Sequence, residues 1–142
     1  MKRDKLKIVI VEDDAFYGEI LRKYVYQVVD RKIPEKDVSI MHFISAEECM
    51  ECLDPETNIF LLDYNLVGDD NEASQNGLDL LKTIKKMCPQ AYFIIVTSYG
   101  DFSTIKKFAM EGADKYVLKN EDTPIRINAI LKHLIQQSLV RK

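Results

Sequence analysis

Five short apolar runs, rich in β-branched residues, alternate with longer stretches whose apolar residues recur every three or four positions. The runs are Ile8 to Val11, Val38 to Phe43, Asn58 to Leu62, Tyr92 to Val96 and Lys115 to Leu118. The first, Ile8 to Val11, is continuous and apolar with no solvent face, so a strand built from it must be covered on both sides. Intervening helices supply that cover when the strands run parallel, because each crossover returns the chain to the same end of the sheet. The alternation predicts an α/β fold of (βα)₅ form: a doubly wound, five-stranded parallel sheet with helices on both faces.

The helix signals agree. Asp13 or Asp14 can cap the first helix, whose apolar face is Phe16, Ile20, Leu21, Tyr24, Val25 and Val28. Ser45, with Glu48 three residues on, reads as a capping box opening a short helix that Asp54-Pro55 ends. Leu78, Leu80, Leu81 and Ile84 mark a third helix, ending near Met87. Ser103 to Met110 forms a fourth, stopped by Gly112. Thr123-Pro124 opens the last, since proline suits the first helical turn. At 142 residues the chain is expected to be one domain. The segment after Gln136 is too short to be another.

Twenty basic against twenty-three acidic residues give a net charge of −3, which argues against sequence-independent nucleic-acid binding. The basic start, Met1 to Lys7, leads into an apolar run interrupted by Glu12, so no signal-peptide apolar region follows. No stretch approaches the roughly 20 apolar residues of a membrane span. A cytoplasmic protein that binds neither membrane nor nucleic acid is expected. Cys49 and Cys52 make a C-x-x-C within a helical stretch, Ser45 to Leu53. Cys88 and His42 do not complete a zinc ligand set at a familiar spacing. Cys49 and Cys52 read as helix residues one turn apart.

Four of the strands run into polar groups. Ile8 to Val11 leads into Glu12-Asp13-Asp14, Ile59 to Leu62 into Asp63, Phe93 to Val96 into Thr97-Ser98, and Tyr116 to Leu118 into Lys119. In a parallel sheet these ends share one edge, where ligands bind. A carboxylate is a weak nucleophile, yet it can accept a phosphoryl group held in line with its charge neutralised. Asp63 is the candidate phosphoacceptor. Glu12, Asp13, Asp63 and the backbone carbonyl of Asn65 offer hard oxygen ligands for Mg²⁺ (or Mn²⁺). Thr97 can donate a hydroxyl hydrogen bond to a phosphoryl oxygen, and Lys119 can pair with another. Any one of these residues alone reads more simply as a turn, cap or solvated side chain. Their conjunction on four strand ends carries the reading.

These motifs, with Gly112-Ala113-Asp114-Lys115-Tyr116-Val117-Leu118-Lys119, resemble a two-component response-regulator receiver domain over about residues 6–137. The resemblance implies the strand order 2-1-3-4-5. It implies Glu12 and Asp13 as the acidic metal pair, Asp63 as phosphoacceptor, Thr97 as switch hydroxyl, Lys119 as phosphate contact and Tyr116 as switch aromatic. Asp14 is then expected to start the helix. The implied partner is a sensor histidine kinase or a histidine phosphotransfer protein. The implied output is a downstream protein target or an output domain outside this sequence, with a homodimer through the last two helices and strand as a further implied state. Such a domain catalyses its own phosphorylation and dephosphorylation without being a turnover enzyme. His133, in the last helix, has no phosphotransfer pattern around it.

Two other classes compete. A haloacid-dehalogenase-type phosphatase would want a second Asp two residues after Asp63, where Asn65 stands. A phosphate-independent interaction module is opposed by the intact Glu12, Asp13, Asp63, Thr97 and Lys119.

Two features depart from the family pattern. The loop from Asn65 to Asn76 is long, carries Asp69, Asp70 and Glu72, and has Val67 where a proline is usual. It reads as a solvated insertion or as a flap beside the phosphorylation site. Lys119-Asn120 replaces the usual Lys-Pro. Without proline a cis bond costs about 2.5–4 kcal/mol, so a trans peptide is expected.

Asn65 and Tyr99, each two residues beyond a site residue, occupy positions that tune phosphate lifetime in the family. Tyr99→Ala is expected to shorten the lifetime of a phosphorylated Asp63. The decay rate of the phosphoprotein measures this, and an unchanged rate would refute shielding by Tyr99.

Overall fold

The computed structural model describes residues 5–31, 33–34, 37–63, 77–98 and 100–140. In chain order the elements are β1 (Leu6–Val11), α1 (Ala15–Asp30), β2 (Val38–Phe43), α2 (Ala46–Glu51), β3 (Ile59–Leu62), α3 (Gly77–Met87), β4 (Tyr92–Thr97), α4 (Phe102–Met110), β5 (Lys115–Leu118) and α5 (Thr123–Val140). The five strands form one sheet in the order β2-β1-β3-β4-β5, and every neighbouring pair is parallel.

The two-residue period of a strand divides the core between two faces. On one face Ile8, Ile10, Ile59, Leu61, Ile94, Val96 and Val117 pack against α1 and α5, including Leu21, Val25, Ile127 and Leu131. On the other, Val9, Val11, Phe60, Leu62, Phe93 and Ile95 pack against α2, α3 and α4, through Cys49, Leu80, Leu81, Ile84 and Phe108. Both sets are buried, which is why β1, β3 and β4 carry near-continuous apolar runs, whereas β2 at the sheet edge is only half-buried. Among the described residues no helix is long and apolar enough to cross a membrane.

Element ends show what local sequence signals miss. β1 begins at Leu6 because Leu6 pairs with Val38 and is buried. Lys7, between two buried residues, hides that start. β4 runs through Thr97, which lies opposite Leu118. α4 starts at Phe102, one residue early, because Asp101 caps it by accepting from the Thr104 N–H at 3.1 Å. Ser45 accepts from the Glu48 N–H at 3.0 Å. The Glu48 carboxylate, however, reaches past the cap to the Ile44 N–H at 3.1 Å, one residue before the partner a capping box specifies. α2 is shorter than the expected Ser45 to Leu53. Cys49 is buried within it, while Cys52 is the exposed residue that ends it. All three cysteines are free. Burial pushes the Cys49 thiol up to about 12, with Cys88 and Cys52 adding to the effect, so it is an inert core residue.

Gly112 terminates α4 as expected. Its N–H donates to the Ala109 carbonyl at 3.1 Å, and the Ala113 N–H donates to the Phe108 carbonyl at 3.0 Å. That pair of bonds requires a positive φ, and Gly112 has φ 102°. The turn delivers the chain into β5, and so sets where Lys119 emerges.

Phe60 and Phe93 stack across β3 and β4 with ring centroids 5.2 Å apart and planes 4° from parallel. The Lys85 ammonium lies 5.0 Å from the Phe93 ring centroid. Phe93→Ala empties a fully buried site beneath β4 and is expected to cost about 3–5 kcal/mol. Urea unfolding of the metal-free protein measures the loss, and a change below 1 kcal/mol would show that the face does not pack as described.

Candidate functional site

The sheet pairing continues past the strand ends and brings the polar residues together. The Glu12 N–H donates to the Phe43 carbonyl at 3.0 Å, the Asp63 N–H to the Val11 carbonyl at 3.0 Å, and the Lys119 N–H to the Thr97 carbonyl at 2.8 Å. Each residue that follows an apolar run is thereby fixed by a neighbouring strand. Asp14 leaves the cluster to cap α1, where its carboxylate accepts from the Tyr17 N–H at 3.1 Å. Asp14 starts the helix, as the resemblance implied.

Glu12, Asp13 and Asp63 each place a carboxylate oxygen within 4.8 Å of the others. Among the described residues they are the only group of three acid, histidine or cysteine ligands so close together. Glu12 and Asp63 are 1% and 6% exposed, while Asp13 stands at the rim. Lys119 enters from the far side of the site. Its Nζ donates to Glu12 Oε1 at 2.7 Å and lies 3.6 Å from Asp63 Oδ1. The other Glu12 oxygen accepts from the Asp14 N–H at 3.2 Å. Thr97 is buried at the end of β4.

Tyr17 belongs to this site and was not legible in the sequence. Its ring centroid is 4.6 Å from Lys119 Nζ, a cation–π contact that places the ammonium between a ring and two carboxylates. Burial raises the Tyr17 phenol above its ordinary value, an effect that Thr123 and Lys119 partly offset. Thr123 Oγ1 in turn accepts from the Asn120 N–H at 2.7 Å and donates to the Leu118 carbonyl at 2.8 Å. These bonds hold the turn after Lys119. No described peptide bond is cis, so Lys119-Asn120 is trans as expected. Tyr116 is half-buried, its ring 5.9 Å from that of Phe108 on α4. Asn65, Tyr99 and the long loop with Val67, Asp69, Asp70 and Glu72 lie outside the described residues.

Three carboxylates face one ammonium, so negative charge is in excess. Burial raises Glu12 above the usual carboxylate range despite the Lys119 hydrogen bond, and the Asp63 charge adds to the rise. Asp13 is pushed up to about 6 by desolvation, although part of its surface meets solvent, and by the adjoining Glu12 carboxylate. Partial burial would lower Lys119, but the Glu12 hydrogen bond and the Asp63 charge outweigh it and hold the ammonium above its ordinary value. An all-oxygen donor set with surplus negative charge fits a hard divalent cation. Glu12, Asp13 and Asp63 are the residues that could hold it.

A family model described as the response regulator receiver domain matches residues 8–132. The transcriptional regulatory protein DcuR of Escherichia coli K12 is 26% identical over 114 residues, covering 80% of this chain and 44% of that protein. The chain therefore spans less than half the length of this relative. Among solved structures, the signal receiver domain of a DNA-binding response regulator from Colwellia psychrerythraea aligns with TM-score 0.75 at 17% identity, over 93% of this chain and 99% of that one. A CheY-like receiver domain protein from Methanospirillum hungatei aligns with TM-score 0.66 at 23% identity, over 95% and 98%. The two structural alignments show the same fold.

The raised Asp13 sets a pH dependence. Between its ordinary 3.8 and about 6 the folded protein holds a proton that the unfolded chain has released, so stability falls as pH rises through that window. Above about 6 the folded state carries the whole cost. Asp13→Asn is therefore expected to raise the melting temperature of the metal-free protein, with the gain largest above pH 6 and fading toward pH 4. Mg²⁺ is expected to stabilise the wild type and to stabilise Asp13→Asn far less. Melting curves at several pH values, with and without Mg²⁺, check both.

Proposed function

The chain belongs to the response regulator receiver domain family, and from that premise we propose that Asp63 accepts a phosphoryl group and that the protein changes its interaction face in response. The observation that carries this reading is the placement of the nearly buried Asp63 carboxylate, 3.6 Å from Lys119 and clustered with Glu12 and Asp13. Receiver domains take their phosphoryl group from histidine kinases or phosphotransfer proteins. They use Mg²⁺ at an acidic cluster such as this one.

In the transfer, an Asp63 carboxylate oxygen forms a bond to phosphorus as the phosphorus–nitrogen bond of a phosphohistidine breaks. The departing imidazole keeps that electron pair. Attack by one anion on another is opposed by charge, and catalysis of phosphoryl transfer is mostly positioning and neutralisation. A bound divalent cation would supply charge neutralisation between the carboxylates and the phosphoryl oxygens. Glu12, Asp13, Asp63 and the Asn65 carbonyl would hold it. Lys119 is already poised, because its ammonium lies between Glu12 and Asp63 and can exchange part of its contact with Glu12 for a phosphoryl oxygen. The Tyr17 ring keeps that ammonium from swinging toward solvent. Thr97 donates its hydroxyl to another phosphoryl oxygen. Hydrolysis of the resulting acyl phosphate resets the protein, with Asn65 and Tyr99 tuning its rate.

The switch follows from the sheet. Thr97 and Leu118 are paired across β4 and β5, and Ile95 is paired with Tyr116. A shift of Thr97 toward the phosphoryl group changes the space beside Tyr116, whose ring rests near Phe108. Inward rotation of Tyr116 remodels the face made by α4, β5 and α5. That two-state element is biased by a local charge. It is the surface through which the domain meets a second copy, a target protein or an output domain.

Intact mass after incubation with a small phosphodonor and Mg²⁺ tests the chemistry. One phosphoryl group is expected on the wild type, none on Asp63→Asn and none without divalent cation. Thr97→Ala should still take up phosphate, yet show little of the wild-type change in Tyr116 ring resonances. A wild type that stays folded, binds Mg²⁺ and acquires no phosphoryl group would favour a phosphate-independent interaction module.

A further inference from the structure

His42 lies on β2, the edge strand of the sheet, and its side chain is 8% exposed. Nε2 is 2.9 Å from the backbone carbonyl oxygen of Glu12. Nδ1 is 3.1 Å from Oε2 of Glu19 on α1. A carbonyl only accepts, so the Nε2–H donates to Glu12. Glu19 also faces Arg22, with Nη1 3.8 Å from its Oε1. Space for the ring comes from Gly18, where a Cβ would lie 2.0 Å from His42 Cε1. Helix and ring meet at the one α1 position that has no side chain.

The Glu12 carbonyl begins the peptide that leads to Asp13. Its orientation decides where the two carboxylates project relative to one another. The Phe43 carbonyl holds the Glu12 N–H, and Lys119 holds the Glu12 side chain, but both act on the other side of that peptide. His42 is the contact on the carbonyl itself.

We propose that His42 is a positioning residue for the divalent-cation site, fixing the Glu12–Asp13 peptide through the Glu12 carbonyl while Glu19 fixes the ring. This role rests on the reading of Glu12, Asp13 and Asp63 as that site, and extends it to a second layer reaching α1. Removing an outer partner of a metal site typically lowers affinity ten- to a hundredfold. Because Glu12 keeps its other anchors, about a tenfold loss is expected here.

The test is an Mg²⁺ titration followed through the backbone amide resonances of Asp13 and Asp14. His42→Phe keeps the ring outline and removes the donor to the Glu12 carbonyl, and should weaken Mg²⁺ about tenfold. His42→Gln can still donate to the Glu12 carbonyl, and should recover most of that affinity. Leu134→Ala, a core change on α5, should lower the melting temperature and leave Mg²⁺ affinity unchanged. Wild-type affinity in His42→Phe, or equal loss in both His42 variants, overturns the positioning role and leaves the cation site standing. A wild type that titrates no differently from Asp13→Asn overturns the cation site and the role of His42 together.

Discussion

Parallel pairing of the five strands is the constraint on which the site depends. It brings the carboxyl ends of β1, β3, β4 and β5 to one edge. Residues far apart in the chain then meet without any one segment being built for the purpose. The Lys119–Glu12 ion pair spans a separation of 107 residues and crosses the place where Asp63 sits. Two buried faces hold the sheet, and each strand supplies alternate side chains to both. Small errors in strand register would therefore be felt in the core before they reached the pocket.

The pocket works against the stability that the core supplies. Glu12 and Asp63 are nearly buried, and three acids share one ammonium. Desolvation and mutual repulsion raise the affinity of Glu12 and Asp13 for protons. The same imbalance makes the cluster receptive to a cation, and a cation held there would offset the charge that opposes a phosphoryl group. Local destabilisation of this kind is the usual cost of a functional site, and the surrounding packing must exceed it. Lys119 is held by Glu12, by Asp63 and by the Tyr17 ring, so its positive charge has a fixed place. Preorganisation of that sort is what phosphoryl transfer asks of a protein.

The long-range parts of the site were the parts hidden from sequence reading. Asp63, Thr97 and Lys119 could be found because each directly follows an apolar run. Residue type alone left Asp13 and Asp14 both able to cap the first helix; the resemblance favoured Asp14, and its bond from the Tyr17 N–H agrees. Tyr17 gave no local signal, because its importance lies in facing Lys119 across the space between α1 and the end of β5. His42 gave none either, since its two partners come from α1 and from the end of β1. The element ends that shifted did so for comparable reasons. Leu6 and Thr97 are in strands because of partners on β2 and β5.

The amino-acid sequence by itself determined the (βα)₅ architecture, the two-sided burial of β1, β3 and β4, and the acids, hydroxyl and lysine at the strand ends. These follow from hydrophobic period and residue type, which are local properties. Tertiary structure alone decided which atoms meet: the 2.7 Å contact of Lys119 with Glu12, the clustering of three carboxylates, the Tyr17 ring near the ammonium, and the His42 bond to the Glu12 carbonyl. Those depend on distances between segments that share no neighbourhood in the chain. Only packing the helices onto a sheet of definite order and register sets them.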